Sequence, residues 1–290
     1  MGRVGKAVAY GAVTVVNALA GGKGAALGID LWTEAAVKLT DEPGIIRGKI
    51  LSDPGEDTSL IEKIVKRVLK RFGLEGSHGA YVETRSNIPI ARGLKSSSVA
   101  ANALVLAALS AVGGSLEDLD VINMAVDVAL EAKVTVTGAF DDACASYLGN
   151  IVVTDNMARK VLKHFKVEEG FRVLILVPQG KAYTVKADIE RMRLMAGEVD
   201  VAFREALTGN YWTAMKLNGL IYASTLGYNP GIAVDALAQG AVAAGLSGKG
   251  PAVAAVVLEE NVEKVKDVWR RYEGEVIEAG INTGKAHVIP

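Results

Sequence analysis

At 290 residues, 50% hydrophobic and 22% charged, the chain can bury a large core in one domain or two closely joined ones, and its composition excludes a disordered protein. With 32 basic residues against 33 acidic ones the net charge is −1, which excludes a general electrostatic attraction to nucleic acid or an anionic membrane; any affinity for phosphate has to be local. One cysteine, Cys144, rules out an intrachain disulfide framework, no Cys/His cluster has metal-site spacing, and a cytoplasmic location fits both.

Residues 3–16 and 26–39, rich in Val, Ile, Leu and Thr, predict two strands separated by the small-residue loop Ala20-Gly21-Gly22-Lys23-Gly24-Ala25. Arg3 and Lys6 ahead of an apolar stretch mimic a secretory leader, but the β-branched alternation and the interrupting Gly, Tyr and Thr favour a buried first strand. A turn at 41–44 leads to a short strand. The next segment, 58–71, has helical spacing, with Leu60, Ile61, Ile64, Val65, Val68 and Leu69 on one face and Glu62, Lys63, Lys66, Arg67 and Lys70 on the other. Residues 81–84 read as a strand and 98–111 as a helix apolar almost all round, hence buried; this apolar run, 99–112, is too short to span a bilayer. A helix over 116–131 leads to Asp141 and Asp142, adjacent acids at a loop-to-helix junction after Gly138.

Residues 151–153 read as a strand, and the polar stretch 155–170 as the boundary between two domains, 1–155 and 156–290. The second half opens on a strand at 171–177, followed by helices near 186–196, 198–208, 211–226 and 231–244, a strand at 252–258, a helix at 261–271 and a strand at 275–279. Strands and helices in this order predict a mixed α+β protein, not a regular βαβ alternation.

Chemistry concentrates at three glycine-rich loops and the acid pair. The segment Pro89-Ile90-Ala91-Arg92-Gly93-Leu94-Lys95-Ser96-Ser97-Ser98 ends where a helix begins, and a helix start offers unpaired N–H groups and partial positive charge to an anion. On these residues alone a phosphate cradle and an ordinary capped core helix fit equally. Neither a Walker loop nor a dinucleotide fingerprint is present.

Taken together, the motifs resemble the GHMP kinases, the superfamily of galactokinase, homoserine kinase, mevalonate kinase and phosphomevalonate kinase. The segment 89–98 is similar to their nucleotide phosphate loop, Asn17-Ala18-Leu19-Ala20-Gly21-Gly22-Lys23-Gly24 to their N-terminal substrate-side motif, and Leu246-Ser247-Gly248-Lys249-Gly250-Pro251 to their C-terminal glycine motif. Two positions depart from the general pattern: Lys95 stands where most members have glycine or serine, and Val99 where a small residue is usual. Lys95, together with 28–31 and Thr137-Gly138-Ala139-Phe140-Asp141-Asp142-Ala143, resembles one branch in particular, the archaeal-type shikimate kinases.

This resemblance implies a two-domain GHMP kinase fold, with an N-terminal half like domain 2 of ribosomal protein S5, a ferredoxin-like C-terminal half and the ligands between them. It implies an ATP-dependent phosphotransferase with an alcohol acceptor, using Mg2+ and acting on the 3-hydroxyl of shikimate in chorismate and aromatic amino-acid biosynthesis. Homoserine kinase or another alcohol kinase of the superfamily is the alternative, and a non-catalytic ligand-binding regulator a further one. No nucleic acid or membrane partner is implied, and a monomer or small homo-oligomer is expected.

Residue by residue, the resemblance assigns Pro89, Ala91, Arg92, Gly93, Leu94, Lys95, Ser96, Ser97 and Ser98 to the nucleotide, Ser97 and Glu131 to magnesium, and Asp141, Asp142 and Lys23 to catalysis. Asn17, Gly22, Asp30, Gly138, Ser247, Gly248 and Gly250 would contact the acceptor. Each assignment has a plainer rival: a helix cap for either acid, a surface glutamate for Glu131 and a solvated loop lysine for Lys23. His78, His164 and His287 stand isolated, Cys144 reads as core, and Arg191 and Arg193 beside Met192 and Met195 read as one amphipathic helix whose arginines are within reach of a substrate carboxylate.

Overall fold

The structure, a computed structural model, describes residues 3–89, 93–135, 138–178 and 189–290. Two long strands dominate the first half. β1 (Val4–Val16) pairs antiparallel with β2 (Lys23–Thr40), the register shifting between Tyr10 and Gly11. Because β2 outruns any one neighbour, it holds two partners on its other edge. Residues 33–40 pair with β4 (Gly79–Ser86), and residues 23–27 with β5 (Ile151–Asp155). β3 (Ile46–Ile50) adds parallel to β4.

The sheet is covered by α1 (Ser59–Arg71), α2 (Ser96–Val112), α3 (Asp118–Glu131) and α4 (Phe140–Leu148). Burial follows sequence in each. α1 buries one stripe, whereas the alanine-rich α2 has no polar face and is buried on nearly all sides, ending at Gly113 in a left-handed conformation (φ 72°).

α2 lies directly on the backbone of β1. A Cβ on Gly5 would stand 2.2 Å from the Ala107 carbonyl oxygen, a contact that only glycine avoids. Gly5→Ala is therefore expected to lower stability by about 2 kcal/mol or more, read as a fall in the urea midpoint. An unchanged midpoint would mean that helix and strand are not in this contact.

In the second half β7 (Phe171–Val177) lies at the centre of an antiparallel sheet of order β10-β7-β9-β8, formed with β8 (Ala241–Leu246), β9 (Val253–Leu258) and β10 (Glu275–Gly280). α5 (Ile189–Leu194), α6 (Ala196–Leu207), α7 (Tyr211–Leu226), α8 (Gly231–Ala238) and α9 (Val262–Trp269) accompany it. α7 is the bridge between the halves: Gly219 sits against Gly245 of β8, while Asn218 reaches the chain just past β1. Among the described residues no helix is long and apolar enough to cross a membrane.

Several expectations change. The helix predicted over 231–244 ends at Ala238, Gly240 turns left-handed (φ 91°), and residues 241–246 form β8. A run of Ala, Val and Leu is apolar at either period, so only the glycine marks the change. The expected division near residue 155 falls inside a hairpin, because β6 (Lys160–Phe165) pairs with β5 in the first sheet. β6 is mostly exposed and carries no apolar alternation that would announce it. The short β11 (His287–Ile289) then returns to β1, so the chain ends in the sheet where it began. Residues 186–188 of the predicted first helix of this half lie outside the described residues.

Candidate active site

The ends of β1 and β8 and the start of α2 bring the three glycine loops together, and side chains tie them. Asn17, just past β1, donates from Nδ2 to the Gly248 carbonyl (2.8 Å), and its own N–H donates to Asn218 Oδ1 (2.9 Å). Thr14 Oγ1 accepts from the Gly248 N–H (2.9 Å), and Ser247 Oγ donates to the Gly93 carbonyl (2.9 Å). Asn17, Asn218 and Ser247 are all buried, so these bonds are made away from competing water. Gly93 has to be glycine here: its φ is 85°, and a Cβ would lie 2.5 Å from the Ser247 carbonyl oxygen.

α2 then begins with no side-chain capping bond. Its cap residue, Lys95, is itself left-handed (φ 64°), and the N–H groups of Ser98 and Val99 turn back to the Lys95 carbonyl. Ser96 and Ser97 are part-exposed, Ser98 is buried, and Leu94 is core. The start of this helix thus remains open to an anion, as a phosphate cradle requires.

Gly138 (φ 83°) and Ala139 (φ 47°) make the sharp turn into α4, which sets both acids inside the protein. Asp142 Oδ2 pairs with Lys95 Nζ at 2.9 Å, the two side chains only 8% and 11% exposed. Asp141 faces the start of β2 instead. Its Oδ1 accepts from Asn156 Nδ2 (2.8 Å), and its Oδ2 abuts Gly24, where a Cβ would approach to 2.4 Å. The β2–β5 register, with Lys23 opposite Asp155 and Gly24 opposite Thr154, is what carries Asn156 to this place.

Burial pushes the Asp142 carboxyl up to about 7; the Lys95 ammonium pulls it back, and the neighbouring Asp141 carboxylate adds to the rise. A carboxyl raised in the fold holds its proton more tightly there than in the unfolded chain. Its contribution to stability is complete at acid pH and is lost as pH climbs through the folded value. Asp142→Asn is therefore expected to flatten the fall in stability between about pH 4 and about pH 7, measured by denaturant titration across that range. An unchanged slope would place the proton elsewhere.

Lys249, in the third loop, is half-buried; burial, then the Lys95 charge, lowers its pKa. Two ammonium groups therefore converge where the phosphate loop meets the third glycine loop, and both would be stabilised by an anion. Lys23 is exposed at the rim, its ammonium 5.6 Å from the centre of the Phe203 ring on α6.

Two expected site residues do not join this group. Asp30 lies seven residues farther along β2, roughly 23 Å at strand spacing, and there accepts a bond from the Gly280 N–H (2.8 Å) that docks β10 on β2. Glu131, expected beside Ser97 at a metal, is a surface residue at the end of α3 and pairs with Arg67 of α1. Among the described residues no cluster of three or more acidic, histidine or cysteine side chains is suited to a metal ion. Ala91 and Arg92, like Thr137, lie outside the described residues.

The remaining isolated residues are structural or exposed. Cys144 is core, with its thiol pushed up by burial and then by Asp141; Arg191 and Arg193 are exposed on α5, whose Met192 is buried. Asn156, Thr154, Asn218 and Lys249 were not among the expected site residues. Of these only Lys249 stood inside a recognisable motif.

Comparison with known proteins settles the family. Residues 59–150 match the family described as the GHMP kinases N terminal domain. A shikimate kinase of Methanosarcina mazei is 48% identical over 284 residues, covering 97% of this chain and 96% of that protein. One from Pyrococcus furiosus is 44% identical over 268 residues, covering 92% and 95%. The chain belongs to the archaeal shikimate kinases of the GHMP superfamily. Mevalonate kinase of Methanococcus jannaschii has the same fold at 19% identity (TM-score 0.78; 96% of this chain, 98% of that one). So does homoserine kinase of Cytophaga hutchinsonii (19%; TM-score 0.75; 100% and 98%). In this GHMP kinase the three glycine motifs are the three loops that Asn17, Ser247 and Gly93 hold together.

Proposed function

We propose that this protein is a shikimate kinase, which transfers the γ-phosphoryl group of ATP to the 3-hydroxyl of shikimate and releases ADP. The observation that carries this reading is the near full-length likeness to shikimate kinases at 48% identity. In the step proposed, the acceptor oxygen forms a bond to the γ-phosphorus as the bond from that phosphorus to the β–γ bridging oxygen breaks. The hydroxyl proton leaves to Asp141 and from there to solvent.

The start of α2 would bind the triphosphate with the N–H groups of 94–97, that of Ser98 being bonded to the Lys95 carbonyl, and with the Ser96 and Ser97 hydroxyls. Lys95 and Lys249 supply positive charge beside it, and Asp142 keeps the Lys95 ammonium in place. Magnesium, when bound, neutralises phosphate charge; the chain fits an ion held mainly by phosphate oxygens and water, with the part-exposed Ser97 hydroxyl as its protein ligand. Asp141 orients the acceptor, because one of its oxygens is fixed by Asn156 and the other faces the glycine at the head of β2. Lys23 stands at the rim to stabilise charge on the acceptor. Gly22, Gly138, Gly248 and Gly250 form the acceptor wall, while Asn17 and Ser247 act through the loops that they tie. The acceptor would lie between a nucleotide-binding N-terminal unit and a C-terminal unit, as in a cytoplasmic biosynthetic kinase.

An ADP-release assay with magnesium-ATP and a panel of shikimate, homoserine and mevalonate tests the reading. Turnover is expected with shikimate; turnover with homoserine and none with shikimate would move the protein to another alcohol kinase of the same fold.

A further inference from the structure

The Asp141 carboxylate is not held by its own helix. Its Oδ1 is bound by Asn156, a residue 15 positions later that leaves the end of β5, and Asn156 is itself fixed at every polar group the bond depends on. Its backbone N–H donates to the Gly22 carbonyl (2.9 Å), and its side-chain Oδ1 accepts from Thr154 Oγ1 (2.7 Å). Thr154 is 0% exposed and Asn156 5%, so no water replaces these bonds. The Thr154 hydroxyl also lies 3.3 Å from the Gly24 carbonyl, but its shorter bond is to the amide oxygen, and a proton given there turns the NH2 group toward Oδ1 of Asp141.

We infer that Asn156, oriented by Thr154, is a positioning residue that fixes the Asp141 carboxyl group through Oδ1 and points its second oxygen at the acceptor hydroxyl. The inference rests on Asp141 being the group that takes the acceptor's proton. Asn156 bonds Asp141 and Gly22 on the substrate side, whereas the proposed phosphate site is beside Lys95 and Asp142. The same residue also fixes Gly22 of the substrate-side loop, so one side chain and one N–H set the distance between the acid and that loop. Other charged or titratable groups around Asp141 are Asp142 and Cys144 on its own helix, Lys95 at the start of α2, Lys23 at the head of β2 and Arg159 in the β5–β6 turn. Among the described residues none of these groups donates a hydrogen bond to Asp141, so none substitutes for the amide.

Asn156→Ala and the isosteric Asn156→Asp test this in the full-length enzyme, beside Asp141→Asn. Asn156→Ala is expected to lower kcat by about 30- to 100-fold, with the KM for ATP within about 2-fold of wild type. Asn156→Asp has the same shape and keeps the fold, but places an acceptor against an acceptor. Its deficit is expected to be as deep near pH 8 and to shrink toward about pH 6, as the introduced carboxyl gains a proton to donate. A packing role alone would not give that pH-dependent recovery. Wild-type kcat in both Asn156 variants, with Asp141→Asn inactive, would overturn the positioning role and leave the base in place. Wild-type turnover in Asp141→Asn would overturn both.

Discussion

Asp141→Asn is expected to lower kcat by about 1,000-fold, within the range for loss of a positioned general base, while the affinity for magnesium-ADP and the melting temperature stay close to wild type. The structure explains why binding and catalysis should separate. Asp141 meets Asn156 and Gly24 at the substrate-side loop, whereas the phosphate loop is held by Ser247, and by Asp142 through Lys95. An amide of the same shape still pairs with Asn156 through its oxygen, so the fold loses little. It cannot take a proton from the acceptor. Isothermal titration with magnesium-ADP beside steady-state kinetics would separate the two properties; a parallel loss of both would show that Asp141 holds the nucleotide loop instead.

Lys95→Met has the second large effect, and of a different kind. Removing the ammonium leaves Asp142 buried without its partner, which costs roughly 3–5 kcal/mol at a pH well above 7, where the carboxyl is still ionised, and less near neutrality, where it takes up a proton. The same variant removes a positive charge from the phosphate site, so ATP binding is expected to weaken by about 10-fold or more. Adding Asp142→Asn distinguishes the two losses. The double variant should regain most of the stability, because no charge is left buried, and should regain none of the ATP affinity. Recovery of both would mean that Lys95 serves only to neutralise Asp142.

Much of this could be read in the chain before any coordinates. The period-2 runs at 3–16 and 26–39, the stripe of α1 and the all-apolar α2 follow from local patterning, and local patterning survives folding where one face or all faces are buried. The glycine loops and the acid pair were legible for the same reason, since a positive φ at Gly93 and Gly138 and a helix start are short-range features. What was not legible depends on register and on partners far apart in sequence. Lys95 reads as a phosphate ligand in its loop, yet its ammonium is held by a carboxylate 47 residues away. Glu131 is assigned to magnesium by the family resemblance, but it turns outward to Arg67. Asp30 lies in a motif with Lys23, and strand geometry then carries it away from the site. Asn156 sits in a polar stretch that reads as a linker. Only the pairing of β5 with β2 reveals that it belongs beside Asp141.

The most direct test is the identity of the product. Phosphorus NMR of the reaction of the purified protein with magnesium-ATP and shikimate should show a monoester whose phosphorus couples to the ring proton at carbon 3, with one equivalent of ADP. Homoserine as the only phosphorylated acceptor, or a phosphate on another shikimate hydroxyl, would contradict it.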